Sequence, residues 1–135
     1  MSEHVFTVEE ANELLERVRP LAERMVAHRR ALAVVTARHA RLVAQIAGNG
    51  GGLQSAEVNE LQEALVAEGA AVVRCVEELQ ALGVMVKDLD RGLVDFPALR
   101  DGEEVLLCWQ VGEDEVGYWH GVDEGFAGRK PLSVF

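Results

Sequence analysis

The sequence predicts an α+β fold: a long antiparallel helical hairpin of coiled-coil type followed by a small antiparallel β-meander. Three observations predict it. Seam residues step by 4 and 3 without a break from residue 14 to 46 and again by 3 and 4 from 58 to 82, the spacing of helices that pack along one side. A glycine-rich stretch, Gly48-Asn49-Gly50-Gly51-Gly52, separates the two runs and interrupts helix without offering side chains to pack. From Val84 the pattern changes to short β-branched and aromatic runs punctuated by Asp, Gly and Pro, which is the grammar of strands and turns.

The elements follow in order within one domain, residues 1–135, a usual size for a single core. Helix 1 is expected over residues 7–47. Thr7 caps it, Glu10 completes a capping box three residues on, and Phe6 is placed as a hydrophobic staple. Its seam is Leu14, Val18, Leu21, Met25, His28, Leu32, Val35, His39, Leu42 and Ile46. Pro20 lies inside this pattern and has no backbone donor, so a kink is expected there, the seam continuing across it. A loop over 48–54 leads to helix 2, residues 55–83, capped by Ser55 and ended by Gly83, with Val58, Leu61, Leu65, Glu68, Val72, Cys75, Leu79 and Leu82 along its seam. A short link makes the helices antiparallel neighbours, and a hairpin with apolar flank to spare completes a four-helix bundle by dimerising.

The meander is expected over 84–122. Its strands are Val84–Lys87, Leu93–Phe96 ended by Pro97, Glu104–Gln110 and Val116–Val122. Asp88-Leu89-Asp90-Arg91-Gly92, Arg100-Asp101-Gly102 and Gly112-Glu113-Asp114-Glu115 supply the turns. Residues 123–135, with two glycines and a proline, read as an ordered loop.

Composition narrows the function. The apolar fraction is 49% with 27% charged residues, a globular balance, and no stretch reaches the roughly 18 uncharged apolar residues of a membrane span. The opening MSEHVFTVEE lacks the basic and apolar regions of a secretory signal, and two cysteines without a CxxC pair suit a reducing compartment, so a cytoplasmic location is expected. A net charge of -10 argues against nucleic acid as partner. The charge is unevenly placed: Arg24, Arg29, Arg30, Arg38 and Arg41 share a stretch without an acid, whereas helix 2 carries Glu57, Glu60, Glu63, Glu68, Glu77 and Glu78 against Arg74. Such helices attract, within one chain or in a dimer; the other reading of the arginine run is RNA or anionic lipid.

The runs KDLDRGLVDFP and LCWQVGEDEVGYWHGVDEGFAGRKP, with the opening FTVEEANELL, resemble a bacterial family catalogued as domain-of-unknown-function family 2203. The resemblance spans nearly the whole chain. It implies no established activity; the label "cell division initiation protein" carried by some members is all it adds.

Candidate chemistry centres on His120. With a turn of two or four residues, Trp109 faces Tyr118, Cys108 faces Trp119 and Leu107 faces His120, so Cys108 and His120 point to opposite faces. Only an odd-length turn or a bulge would bring them together in a metal site. In the expected register His120 sits among apolar partners and needs an acceptor; Asp95 or Asp123 would orient the ring so that its other nitrogen could act on a ligand or bind a metal. Asp88 and Asp90 read as turn residues that bond their own backbone. Trp119 between Gly117 and Gly121 marks a shallow surface, and Arg129 could hook an anion, although an internal ion pair competes for it. His28 and His39 are too far apart along one helix to share an ion, whereas Glu68 could meet either of them across the hairpin or a dimer. Walker, dinucleotide, HExxH and GxSxG motifs are absent.

The expected function is therefore a non-enzymatic interaction or assembly protein. The helices form a homodimer, and the β-module binds a protein partner or small anionic ligand through Asp95, Trp109, Trp119, His120 and Arg129, with no cofactor. The alternative is a small hydrolase or metal-binding protein that holds a divalent metal on His120, Asp95 and Asp123.

Overall fold

Two helices and a five-stranded antiparallel sheet make up the chain, in the computed structural model that describes residues 4–48 and 56–135. Helix α1 spans Val8–Gly48 and α2 spans Ala56–Ala81. The expected loop at 48–54, from Asn49 on, and the Ser55 cap lie outside the described residues. The reciprocal capping box forms as the sequence requires: Glu10 N–H donates to Thr7 Oγ1 at 3.0 Å and Thr7 N–H to Glu10 Oε1 at 2.9 Å. Phe6 is buried edge-on against Phe96, and its N–H donates to the Pro97 carbonyl at 2.7 Å, which ties the helix entry to the sheet. Helix α1 runs through Pro20, whose ring is exposed, without ending.

The helices pack as an antiparallel pair. Leu15 and Val18 near the start of α1 share the core with Cys75 and Leu79 near the end of α2, and His28 meets Glu68 further out. All ten seam residues of α1 and all eight of α2 are buried or half-buried. Closer to the sheet α1 buries a wider stripe, adding Ala11, Leu15, Ala22 and Val26.

The strands are β1 (Met85–Asp88), β2 (Leu93–Arg100), β3 (Glu103–Gln110), β4 (Tyr118–Gly121) and β5 (Lys130–Pro131), in that spatial order. Three expectations are corrected. First, β2 does not stop at Pro97 but runs to Arg100. Pairing with β1 covers only Leu93 to Asp95, and the Pro97 carbonyl points to Phe6, away from β3. The nitrogen of a strand residue points to the same side as its carbonyl, so the missing donor costs no bond to β3. Secondly, the tail is not only loop: Lys130–Pro131 adds the fifth strand to β4, between single 3-10 turns at Phe126–Gly128 and Leu132–Val134.

The third correction concerns register. Cys108 faces Tyr118, Leu107 faces Trp119, Leu106 faces His120 and Val105 faces Gly121, one residue away from the expected pairing. Val116 causes the slip. It leaves the ladder, its N–H donates to Asn12 Oδ1 of α1 at 2.8 Å, and its side chain enters the core. The connection from Gln110 to Tyr118 thereby becomes odd in length, and a one-residue slip exchanges the faces of the strand. The helix-facing side now holds Val94, Phe96, Leu107, Trp109 and Trp119. Asp95, Cys108 and His120 fall together on the other side. The β2–β3 hairpin turns on Asp101 and Gly102, both with positive φ, which is the two-residue turn that matches strand twist.

Candidate functional site

Three adjacent strands each contribute one polar residue to a single buried cluster. Asp95 on β2 and Cys108 on β3 are direct cross-strand partners, and His120 on β4 lies on the same face two residues beyond Tyr118, the partner of Cys108. Their exposures are 1%, 0% and 3%, unusual for a carboxylate and an imidazole unless each is hydrogen-bonded.

Each is. The Nε2 atom of His120 lies 3.1 and 3.2 Å from the two Asp95 oxygens, and Nδ1 lies 2.8 Å from the Gly121 carbonyl. A carbonyl oxygen only accepts, so Nδ1 donates to it and Nε2 is left aimed at Asp95, with one proton between nitrogen and carboxylate. Burial pushes the Asp95 carboxyl above the usual carboxylate range, while the neighbouring His120 pulls it back. The Cys108 thiol stands beside the Asp95 carboxylate; burial, then the Asp95 charge, push it from an ordinary 9.0 up to about 12. Both ring nitrogens are thus engaged and the thiol keeps its proton, so the cluster lacks the free base that a cysteine nucleophile needs.

Beside the cluster lies a pocket of about 300 Å³, lined by Asp95 and His120 together with Lys87, Arg91, Glu124 and Phe126. Glu124 folds back over β4, accepting from the Gly121 N–H at 2.8 Å and from Lys130 at 2.9 Å. These donors hold its carboxyl below the ordinary range. A Cβ at Gly121 would stand 3.2 Å from the Glu124 carboxylate, so the surface beside this glycine is covered by the chain's own Glu124.

The other candidates are placed elsewhere. Trp109 is fully buried on the helix side and donates its Nε1–H to the Glu113 carbonyl, and Trp119 lies in the same core between Arg100, Lys130 and Phe135, so neither tryptophan flanks His120. Arg129 is spent internally: its guanidinium lies 2.8 and 3.0 Å from the Glu113 oxygens and stacks 3.7 Å over the Tyr118 ring. Asp123 is exposed and stands outside the cluster. Asp88 accepts from the N–H groups of Asp90 and Arg91, which hold it below its usual range, as a turn residue does. His28 Nδ1 contacts Glu68 at 2.6 Å within the chain.

Across residues 4–132 the chain matches the family described as "Uncharacterized conserved protein (DUF2203)". It belongs to that family. No curated protein matches the DUF2203 chain, and no solved structure does either. No helix among its described residues is long and apolar enough to cross a membrane.

The residues missed from sequence are Cys108 as a neighbour of His120, and Lys87, Arg91 and Glu124 around the pocket. Asn12 offered the one available signal, a side chain able to take Val116 out of the ladder, but its partner 104 residues away is invisible to local pattern.

Proposed function

We propose that this DUF2203 protein is a cytoplasmic, non-enzymatic assembly protein that forms a homodimer through its hairpin and carries the β-module as a head. The observation that carries the reading is that, among the described residues, the oppositely charged helices leave most of these charges without an ion pair, Arg29 with Asp90 and Glu68 with His28 being the exceptions. Among the described residues, Arg24, Arg30, Arg38 and Arg41 make no ion pair, and neither do Glu57, Glu60 and Glu63; His28–Glu68 is the one pair that spans the hairpin. The apolar surface agrees. The seam residues Leu32, Val35, Leu42 and Ile46 are only half-buried, and Val34, Val66 and Val73 are 58%, 69% and 55% exposed. Two helices cannot enclose a seam, whereas four can.

Setting α1 against α2 of a second copy places the arginine run beside the glutamate row and covers the apolar flanks. Each exposed ion pair contributes little to affinity, so the seam holds the dimer and the charges choose its orientation. Both cysteines are buried free thiols, in keeping with a reducing compartment.

A charge-crossing experiment tests this. Arg38→Glu with Arg41→Glu, and separately Glu60→Arg with Glu63→Arg, should each be monomeric in sedimentation at concentrations where the unaltered protein dimerises. Mixing the two variants should restore a 1:1 pair. A wild-type chain that stays monomeric at about 100 μM, where even a weak specific pair would associate, overturns the proposal, as does a dimer indifferent to both reversals. The hydrolase alternative has less behind it, because Asp123 stands apart from His120 and both imidazole nitrogens are engaged.

A further inference from the structure

We infer that Asp95, Cys108 and His120 form a binding site for one divalent transition-metal ion of the zinc type, with a fourth coordination position open to the adjacent pocket. This goes beyond the assembly reading and does not depend on it. Three independent features support it.

The first is the donor set. One carboxylate oxygen, one sulfur and one imidazole nitrogen lie within 4.8 Å of one another, from three neighbouring strands of one sheet. These are the atom types that zinc-like ions prefer, and soft sulfur beside imidazole excludes magnesium and calcium as natural occupants. Bonds of about 2.0–2.3 Å in a tetrahedron set donor atoms roughly 3.3–3.8 Å apart. Side-chain rotation on a fixed sheet can close the remaining gap.

The second is the orientation of the ring. The Nδ1–H to Gly121 carbonyl bond, 2.8 Å, fixes the tautomer that leaves Nε2 as the donor atom, and it aims Nε2 at the carboxylate. A backbone carbonyl holding the distal ring nitrogen is the outer-shell contact that metal-bound histidines use. The ring is therefore set for coordination before an ion arrives.

The third is charge and access. An ion that enters displaces the thiol proton of Cys108 and the proton between His120 and Asp95, so two protons leave for one dication. A dication with thiolate, carboxylate and neutral imidazole carries no net charge, which removes the cost of burying an unpaired ion. Asp95 and His120 border the 300 Å³ pocket, while Cys108 is fully buried behind its cross-strand partner Asp95 and not part of the lining, so the pocket gives an entry path to two of the donors and room for a water or a small anionic donor as fourth ligand. Three protein donors leave a fourth coordination position for an exchangeable ligand, unlike a site closed by four protein donors. Asp123, exposed, has no place in it.

Cobalt(II) reports on the site directly, because a thiolate bound to it gives an intense near-ultraviolet charge-transfer band. The full chain, stripped with chelator and titrated with Co²⁺ alone, should take up one ion per chain by native mass spectrometry and develop that band. Zn²⁺ should then displace the Co²⁺ and abolish the colour. Cys108→Ser and His120→Ala should each weaken binding by more than about a hundredfold, beyond what loss of an outer-shell partner costs, whereas Asp123→Asn and Cys75→Ala should leave stoichiometry and band unchanged. Because removing a buried group can unfold a chain, circular dichroism accompanies each variant, and the wild-type spectrum decides on its own. Absence of bound Co²⁺ at micromolar concentration, bound Co²⁺ without the thiolate band, or equal binding by Cys108→Ser would each overturn the site. Failure of the dimer test leaves these outcomes unaffected.

Discussion

The two ends of the hairpin carry the same 4,3 seam and bury it differently. Near the sheet, Val18, Met25 and Leu79 are fully enclosed, because Ala11, Leu15, Ala22 and Val26 widen the stripe and Val94, Phe96 and Leu107 close over it. Toward the tip, Arg29, Ala33, Thr36 and Ala40 continue that second stripe. The sheet no longer covers it, and Leu32, Val35, Leu42 and Ile46 stay half-buried. A heptad seam thus specifies which helix is the neighbour, and a third layer decides whether the seam is sealed. The sheet end has that layer in its own chain; the tip, in the proposed dimer, finds it in a second copy.

The largest effect should come from breaking the sealed end. Met25→Ala should cost about 2–5 kcal/mol in urea unfolding, the range for emptying a fully buried site, and the loss should not depend on protein concentration. Leu42→Ala at the tip should cost only about 1 kcal/mol in the monomer, since half the side chain already meets water. It should nevertheless raise the dimer dissociation constant by about tenfold or more, read by sedimentation. Equal losses at both positions, independent of concentration, would erase the distinction between the ends.

Alkali sharpens the same contrast. The folded chain holds the Cys108 thiol well above its ordinary value, so the thiol favours the folded state below pH 9.0, where it is protonated in both states. That advantage is lost as pH rises from 9.0 toward about 12, where only the unfolded chain ionises. Metal-free protein should lose stability there at up to ~1.4 kcal/mol per pH unit, and Cys108→Ala should remove that part of the slope. Smaller still, Thr7→Ala should cost about 1 kcal/mol through the capping box that anchors the sheet end. Glu68→Gln, which removes a partly exposed pair midway along the hairpin, should cost about 0.5 kcal/mol or less by thermal unfolding.

Local pattern sufficed where local chemistry decides. The capping box, both helix seams, the Asp88 turn and the Asp101–Gly102 hairpin turn depend on neighbours in sequence or on helical period, and all were legible; so was the meeting of Glu68 with a seam histidine, though not the choice of His28 over His39. The internal pairing of Arg129 was legible from the acidic surroundings, though not its partner. The register of β4 was not. It goes with the pair of hydrogen bonds between Val116 and Asn12, 2.8 and 3.5 Å, which take Val116 out of the ladder; strand period is 2, so that long-range contact puts Trp119 in the core and His120 on the face of Cys108. Strand β5 escaped for a related reason, since a two-residue strand containing Pro131 has no period to detect.

Hydrogen exchange followed at two protein concentrations tests the central claim, a tip sealed by a second copy, most directly. At a dilution that favours monomer, amides of residues 30–48 and 56–68 should exchange quickly while those near Val18 and Leu79 stay protected. At a concentration that favours dimer, protection of the tip should rise toward that of the sheet end, which itself should not change. Tip protection that is the same at both concentrations and equal to that of the sheet end would contradict the claim, because the hairpin would then be sealed by its own chain.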